Sequence, residues 1–409
     1  MKHFDIIIAG GGMAGATAAL TLAKLGLSIA LVESIVPNSD ASISFDQRAV
    51  ALSAASVSIL QSLDIWSQIK PLSCAIENIH ISDRGHFGFT RLNATDFQVE
   101  ALGQVIPLDQ TGPILWQQIK AKKNIEVFCP FEISQIKQPT NQSSGEKIAL
   151  SISNGDSEQA LCGKLLLAAD GTFSSIAKMS GINTTRKSYR QHAIIANIAT
   201  EKPHKNRAFE RFTEQGPLAL LPLTQNRLSL VWCHDENHID QVIKLDDRQF
   251  TEQLQSAFGY RLGAITKVGQ RSDYPLALHL PAETFKGRVL LIGNAAHTLH
   301  PIAGQGFNIG LRDIAALYDW LQNALDEGQD IGEPKLLEKY QQQRQADWHK
   351  TITATDSLVK LFSNDFLPLV IGRDKALFWL DKLPFAKRKL AMAAMGFSGH
   401  SAQLTRGLK

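Results

Sequence analysis

Two textures of apolar and polar positions follow one another along this chain. Phe4 to Ala9 is a short, largely apolar run of strand length. A glycine turn follows, and the Ala- and Leu-rich stretch from Met13 to Leu25 predicts a helix. Gly26 ends that helix, and Ser28 to Glu33 predicts the next strand, so the chain opens as βαβ. Arg48 to Leu63 predicts a second helix. Ile76 to Ser82 predicts a strand running into the polar loop Asp83 to Gly88, and Gly112 to Lys123 has helical periodicity. Leu165 to Ala169 is a wholly apolar strand that ends at Asp170-Gly171.

The texture then changes. His192–Thr200, Arg207–Phe212, Leu218–Leu223 and Arg227–Trp232 are strand-length segments separated by turn residues, with Thr224-Gln225-Asn226 as a hairpin turn. They predict an antiparallel sheet with one face on a core. Tyr274–Leu280 offers a further strand. Arg288–Ile292 returns to the buried apolar type, Gly293 to Asn308 is Gly-rich, and Ile309 to Ala324 predicts a long helix, with helical segments to about Phe397. The chain is therefore expected to leave a dinucleotide-binding body and return to it. Residues 1–75, 109–180 and 286–330 are assigned to that body, 76–108 and 181–285 to an inserted substrate domain, and 331–409 to a C-terminal helical region.

Composition narrows the picture. In 409 residues, 44% are hydrophobic and 20% charged, enough apolar material for large cores. A net charge of +3 gives no ground for nucleic-acid binding. Cys74, Cys129, Cys162 and Cys233 form neither a zinc knuckle nor a CxxC pair, so buried thiols in a reducing cytoplasm and no metal are expected. Ile6 to Ala23 carries no charge, but its glycines and its strand-turn-helix order speak against a signal peptide or a membrane span. The charge is uneven: residues 371–409 hold eight basic and two acidic residues, which leaves the rest slightly acidic. Two readings of this tail stand side by side, contact with anionic lipid at the inner membrane and terminal helices packed on the core with solvated lysines.

Four constellations carry candidate chemistry. Gly10-x-Gly12-x-x-Gly15, with Ala14 inside it, follows a strand and opens a helix whose N-terminus suits a pyrophosphate. Glu33, at the end of the second strand, is placed to accept hydrogen bonds from a ribose diol. Arg48, two residues after Asp46, is a candidate pyrophosphate partner with a surface arginine as its plain alternative. Asp170-Gly171-x-x-Ser174 reads alone as a helix N-cap. Gly293-Asn294 and the loop Pro301, Gly304, Gln305, Gly306, Phe307, Asn308 begin a helix and would present backbone N–H groups to an anion or an electron-rich carbonyl.

Together these residues resemble the FAD-dependent aromatic hydroxylases of the para-hydroxybenzoate hydroxylase type. Phe45 to Ser53, Ser82 to Gly88, Ala101 to Gly103, Arg207 to Thr213, His300 to Asn308 and Phe362 to Asn364 are similar to the ubiquinone-biosynthesis branch. The resemblance implies an α/β fold, with a Rossmann-type FAD-binding domain, an inserted mainly antiparallel substrate sheet and C-terminal helices. It implies FAD, molecular oxygen, a reduced nicotinamide or other electron donor, and a polyprenylated phenol as substrate. Proteins of a ubiquinone-biosynthesis complex are its implied partners. Asp170 and the residues of the two Gly-rich motifs become candidate FAD contacts by the same likeness. Two positions depart from the wider superfamily: Asn294 stands where an Asp is usual, and Ala177 where an Arg is usual.

Leu218, Leu220, Leu223 and Trp232 are expected to help wall the substrate ring. A base for the phenol would speed the reaction, yet no catalytic side chain is legible, and His86, His192 and His297 are candidates by type alone. A nicotinamide-only dehydrogenase leaves the Gly293–Asn308 segment unexplained. A reductase or epoxidase of the same fold, a sister ring hydroxylase and a flavin-containing scaffold subunit are the remaining alternatives.

Overall fold

The computed structural model describes residues 1–37, 48–139, 145–301, 304–362, 372, 375, 379–397 and 402–405. Asp46, Ile302, Ala303, Ser363, Asn364 and much of the basic tail fall outside the described residues.

Alternation in the opening strand explains the first layer. In Lys2–Ala9, Ile6 and Ile8 point into one core while Ile7 and Ala9 point into another. A strand buried on both faces belongs in the middle of a parallel sheet. The strand pairs in parallel with Glu158–Ala168 on one side and Ile29–Val32 on the other. Val289–Leu291 and Ile125–Phe128 extend the parallel set outward. The helices Met13–Ala23, Leu108–Ala121 and Gln305–Asp326 cover the Ile6/Ile8 face. An antiparallel excursion, Glu132–Lys137 and Ile148–Ser153, pairs back onto the long strand and closes the other face with Ile148, Leu150 and Ile152.

The second sheet is mainly antiparallel. Its order is Ile265–Val268, Thr184–Thr200, Arg227–Asp235, Gly216–Pro222, Arg207–Thr213, Asn78–Asp83 and Phe89–Asn93, with Ser272–Pro281 also on the long Thr184–Thr200 strand. The turn at Gln225 and Asn226 takes φ of 60° and 54°, the left-handed pair that a two-residue hairpin needs. One face of this sheet is sealed by the helix Asp247–Phe258, which buries Phe250, Leu254 and Phe258. The other face packs, through Ala208 and Leu223, on Ile76 and Val105.

A three-stranded sheet of Ala49–Ser53, Gly103–Pro107 and Cys74–Ile76 lies between the two. This corrects the helix expected from Arg48 onward. Ala49 to Ser53 alternates and pairs antiparallel with Gly103–Pro107, and the helix begins only at Ala54, where Ser53 accepts the Ser56 N–H as its N-cap. Tertiary pairing here overrides the local helical pattern.

The C-terminal helices Pro334–Phe362 and Pro384–Ala394 complete the molecule. The second packs on the core: Ala391 and Met395 are buried against Ala54, Leu92 and Leu102. Lys387 lies 3.6 Å from both Asp96 and Asp381. Its neighbours Trp379, Leu383 and Phe385 remain exposed. No helix among the described residues is long and apolar enough to cross a membrane.

Candidate flavin site

The nucleotide end is built at the C-terminal edge of the parallel sheet, where such folds bind their ligands. At Gly15 a Cβ would collide with the Gly10 carbonyl oxygen, so only glycine lets the helix sit on the turn. At Gly12 a Cβ would meet nothing within 4 Å, because that position opens onto a cleft. The cleft has a volume of about 430 Å³, and Gly12, Glu33, Asp109 and Trp116 are among its walls. Glu33 is held by two backbone donors, the Gly11 N–H at 2.5 Å and the Ile35 N–H at 2.7 Å, one on each oxygen. Each oxygen keeps acceptor capacity for a hydroxyl.

Two residues of this cleft escaped the sequence reading. The Trp116 indole donates to the Gly11 carbonyl at 3.0 Å and fixes the glycine turn. Asp109 Oδ1 is buried without a hydrogen-bond partner among the described residues. An orphaned acceptor beside an open glycine turn and a helix N-terminus suits a dinucleotide with a pyrophosphate and hydroxyl donors. The residues present therefore fit FAD. No signal in the sequence marked Trp116 or Asp109, since both lie on the amphipathic Leu108–Ala121 helix and look like ordinary helical positions.

The second Gly-rich segment meets the first directly. A Cβ on Gly293 would lie 2.8 Å from the Ala14 Cβ, and Gly310 packs back on Gly293. Asn294 is exposed at this junction, and Thr172 and Thr298 join the Asp170 loop to it through hydroxyls 2.9 Å apart. Gly304, in the left-handed region at φ +59°, starts the Gln305–Asp326 helix with no side-chain cap. Its first-turn N–H groups thus have no intrahelical partner and no capping side chain among the described residues. Pro301, Gly304, Gln305, Gly306 and Phe307 are half-buried there.

Asn308 has a different task from the flavin contact expected of it. Its Oδ1 accepts from the Ser53 N–H at 2.8 Å and the Ser56 hydroxyl at 2.7 Å. Its Nδ2 donates to the Ala51 and Gly304 carbonyls at 2.9 and 2.7 Å. The amide is fully committed to tying the loop to the Ala49–Ser53 strand. Behind the loop lies a buried ionic cluster. Asp313 accepts from His297 at 2.7 Å, Arg344 at 2.7 Å and Trp348 at 2.8 Å. Burial alone would raise the Asp313 pKa, but Arg344, His297 and Trp348 outweigh it and bring it down to about 2.

The other candidates separate. Asp170 caps the short Ser175–Met179 helix, accepting from Ser174, Ser175 and the Ile176 N–H at 2.6, 3.1 and 3.1 Å. Arg48 is exposed at the start of its strand. His86 is exposed in a hairpin turn of the second sheet. His192 pairs with Asp273 at 2.8 Å, and His297 is sealed against Asp313. His300 is fully buried, its Nε2 3.2 Å from Gln191 Oε1, and burial pushes its pKa down to about 4.

The chamber wall expected of Leu218, Leu220 and Trp232 is also corrected. All three point away from the flavin loop into the core under Asp247–Phe258. Leu223 alone of the four lies on the inner side, packed with Ile76 and Val105. Side chains alternate along a strand, so the inner face carries the intervening residues. Pairing places Ile195, Val231, Ala219 and Glu210 in one row across four strands. All four are partly accessible, whereas their outward neighbours Ile194, Trp232, Leu220 and Phe209 are buried. Ala51 links this face to the flavin loop: it packs with Ala208 and Leu221, and a Cβ on Gly304 would lie 3.4 Å from the Ala51 Cβ. Glu210 Oε1 is buried with no hydrogen-bond partner among the described residues, and burial pushes its pKa up to about 7.

Comparisons with known proteins agree with this geometry. A family model described as an FAD binding domain matches residues 3–355. The ubiquinone hydroxylase UbiL of Rhodospirillum rubrum is 30% identical over 97% of this chain and 90% of its own length. The 3-demethoxyubiquinol 3-hydroxylase of Escherichia coli is 29% identical over 96% of this chain and 98% of its own. The ubiquinone biosynthesis monooxygenase COQ6 of Danio rerio is 27% identical over 95% and 88%. Among solved structures, the p-nitrophenol 4-monooxygenase PnpA of Pseudomonas putida DLL-E4 shares the fold with a TM-score of 0.80, at 17% identity over 98% of this chain and 100% of that one. This chain is an FAD-dependent monooxygenase and belongs to the family of ubiquinone-biosynthesis hydroxylases.

Proposed function

We propose that this ring hydroxylase acts on 2-polyprenyl-6-methoxyphenol and yields the corresponding 1,4-benzoquinol. The observation that carries a phenol substrate is the inner row of the second sheet: three apolar residues, Ile195, Val231 and Ala219, end at one unpartnered carboxyl, Glu210. Strands lie about 4.8 Å apart, so the row spans about 14 Å, room for a substituted ring and the start of a tail. The choice of this phenol rests on the family likeness of the segments around Arg48, Arg211 and Gly304.

Bound FAD, reduced by a nicotinamide or another donor, supplies the oxygen-activating chemistry. The chain's own residues hold and orient it. Gly10, Gly12, Ala14 and Gly15 receive the pyrophosphate, and Glu33 the ribose. Gly293 and Asn294 would hold the ribityl chain, with Arg48 and Asp170 at the margin. The helix start from Gly304 to Phe307, with Pro301, would direct its N–H groups at the electron-rich end of the bound ring system and stabilise negative charge there. Asn308 fixes that loop, and the inner sheet face excludes water from the reacting ring. Residues 1–75, 109–180 and 286–330 form the flavin-binding body in this reading, and 76–108 and 181–285 the substrate domain. The substrate is lipid-borne, so contact with a membrane surface is peripheral, with the exposed Trp379, Leu383 and Phe385 beside Lys382 as its best-supported point.

A sister reaction on the same ring is the second reading, favoured by the 3-hydroxylase among the relatives. Metabolite analysis of a deletion strain separates the two. Accumulated 2-polyprenyl-6-methoxyphenol supports the first, and accumulated 3-demethoxyubiquinol the second.

A further inference from the structure

We propose that Glu210 is the catalytic residue that accepts the phenolic proton of the substrate, a hydroxyarene lying along the Ile195–Val231–Ala219 row. This rests on the ring-hydroxylase reading above and names the group that the sequence left unassigned.

The geometry begins with strand parity. Phe209 is buried and packs under Asp247–Phe258, so Glu210, the next residue along the strand, emerges on the opposite, inner face. There its register partners are Ile81 and Ala219, neither of which can donate a side-chain hydrogen bond. Oε1 is consequently buried and has no hydrogen-bond partner among the described residues. A native fold rarely leaves a buried carboxyl oxygen unsatisfied without a ligand to complete it. The flanking groups do not neutralise it. Cys233, on the neighbouring inner position of the Arg227–Asp235 strand, has its thiol pKa pushed up by burial and by the charge of Glu210. Tyr274, beyond Cys233, is pushed up to about 12 by burial and by Cys233, with Arg48 opposing. Within this group only Arg48 is cationic, and it acts on Tyr274. An acceptor with no donor among the described residues, at the end of an apolar row on the inner face, is complementary to one O–H group on an apolar ring.

The step balances as follows. The phenol O–H bond breaks, and its proton passes to Glu210 Oε1. The released electron pair feeds the ring, and a ring carbon ortho or para to the oxygen forms a C–O bond as the O–O bond of activated oxygen breaks. The ring C–H proton leaves and restores aromaticity. Reduced FAD provides both electrons, and the second oxygen atom departs as water. Burial raises the pKa of Glu210 toward neutrality, which brings the base closer in strength to a phenol than an ordinary carboxylate would be.

The test uses the FAD-loaded, full-length enzyme with 2-methoxy-6-prenylphenol as probe. Reduced enzyme is mixed with oxygen, and hydroxylation is followed in a single turnover from pH 5 to 9. Wild type should show a rate that rises with pH to a plateau. E210Q should lose that rise and hydroxylate about 100-fold more slowly, with FAD content unchanged and hydrogen peroxide in place of product. E210D should recover part of the rate and keep a pH-dependent rise. An E210Q enzyme with the wild-type rate and profile would overturn the role of Glu210 and leave the hydroxylase reading standing. A wild type that hydroxylates no phenol would overturn both. A second measurement needs no variant: with a ring-fluorinated probe of lower pKa, the midpoint should stay with the enzyme. A midpoint that follows the phenol would overturn the proposal.

Discussion

Asn308 and Ser53 are 255 positions apart, yet the Asn308 Oδ1 accepts the Ser53 backbone N–H at 2.8 Å. The same amide holds Ser56, Ala51 and Gly304, so one side chain joins the flavin loop, the small three-stranded sheet and the cap of the Ala54–Ser62 helix. Asn308→Ala would leave several buried partners unsatisfied, each worth about 1–3 kcal/mol. The expected outcome is a loss of about 2–4 kcal/mol by denaturant titration, with weaker FAD retention on gel filtration. Unchanged stability would show that the loop is held by other contacts.

Gly12 and Gly15 should fail in different ways. Gly12→Val places a side chain in the open cleft, so the protein should fold and release FAD. Gly15→Ala drives a methyl into the Gly10 carbonyl and should lower folding stability as well. Flavin absorbance and thermal melting together distinguish the two. Normal flavin stoichiometry in Gly12→Val would displace the proposed pyrophosphate site.

The Asp313 cluster predicts an acid limb. The Asp313 pKa is about 2 in the folded state against an ordinary 3.8. A lowered folded pKa stabilises fully above the ordinary value, and the gain is lost as pH falls from about 4 through about 2. Asp313→Asn should flatten this limb. It also removes one of the two carboxylates paired with the buried Arg344, while Asp347 stays at 2.6 Å, at a cost of about 1–3 kcal/mol at neutral pH. Denaturant midpoints at pH 7 and pH 3 check both statements.

Glu210 predicts the opposite slope. Its folded pKa of about 7 lies above the ordinary 4.5, so the folded state keeps a proton that the unfolded state gives up. Stability therefore falls as pH rises from about 4.5 to 7. E210Q removes this dependence, so its melting temperature should gain on wild type between pH 5 and pH 8. A constant difference would mean that Glu210 titrates normally.

The parity of the second sheet can be tested by paired substitutions. Leu220→Ala removes a core side chain and should cost about 2–5 kcal/mol while hydroxylation stays coupled. Val231→Trp fills the inner row and should raise hydrogen peroxide release with little change in stability. The reverse pattern would put the substrate on the wrong face of the sheet.

Much of the flavin body was legible because its chemistry is local. Gly10, Gly12 and Gly15 announce a turn whose geometry admits little else, and the buried Glu158–Ala168 and Val289–Leu291 strands read as apolar runs. The Ala49–Ser53 strand was hidden because its pairing partner lies some fifty residues away and its composition suits a helix. The chamber wall was misread by one residue, since Leu218, Leu220 and Trp232 are the most apolar positions and so belong in the core rather than the cleft. Asp109, Trp116 and Asp313 carry no local pattern, and their roles arise only when distant elements meet. Glu210 lies in a segment that carries the family likeness, but only strand register places its side chain on the inner face of the second sheet.

The most direct measurement is isotope transfer. FAD-loaded enzyme, a chemical or enzymatic reductant, 2-methoxy-6-prenylphenol and ¹⁸O₂ are combined, and the products are weighed by mass spectrometry. The account predicts a quinol carrying one ¹⁸O atom, formed in proportion to the reductant consumed. Reductant consumed with only hydrogen peroxide formed, or a product whose new oxygen comes from water, would contradict it.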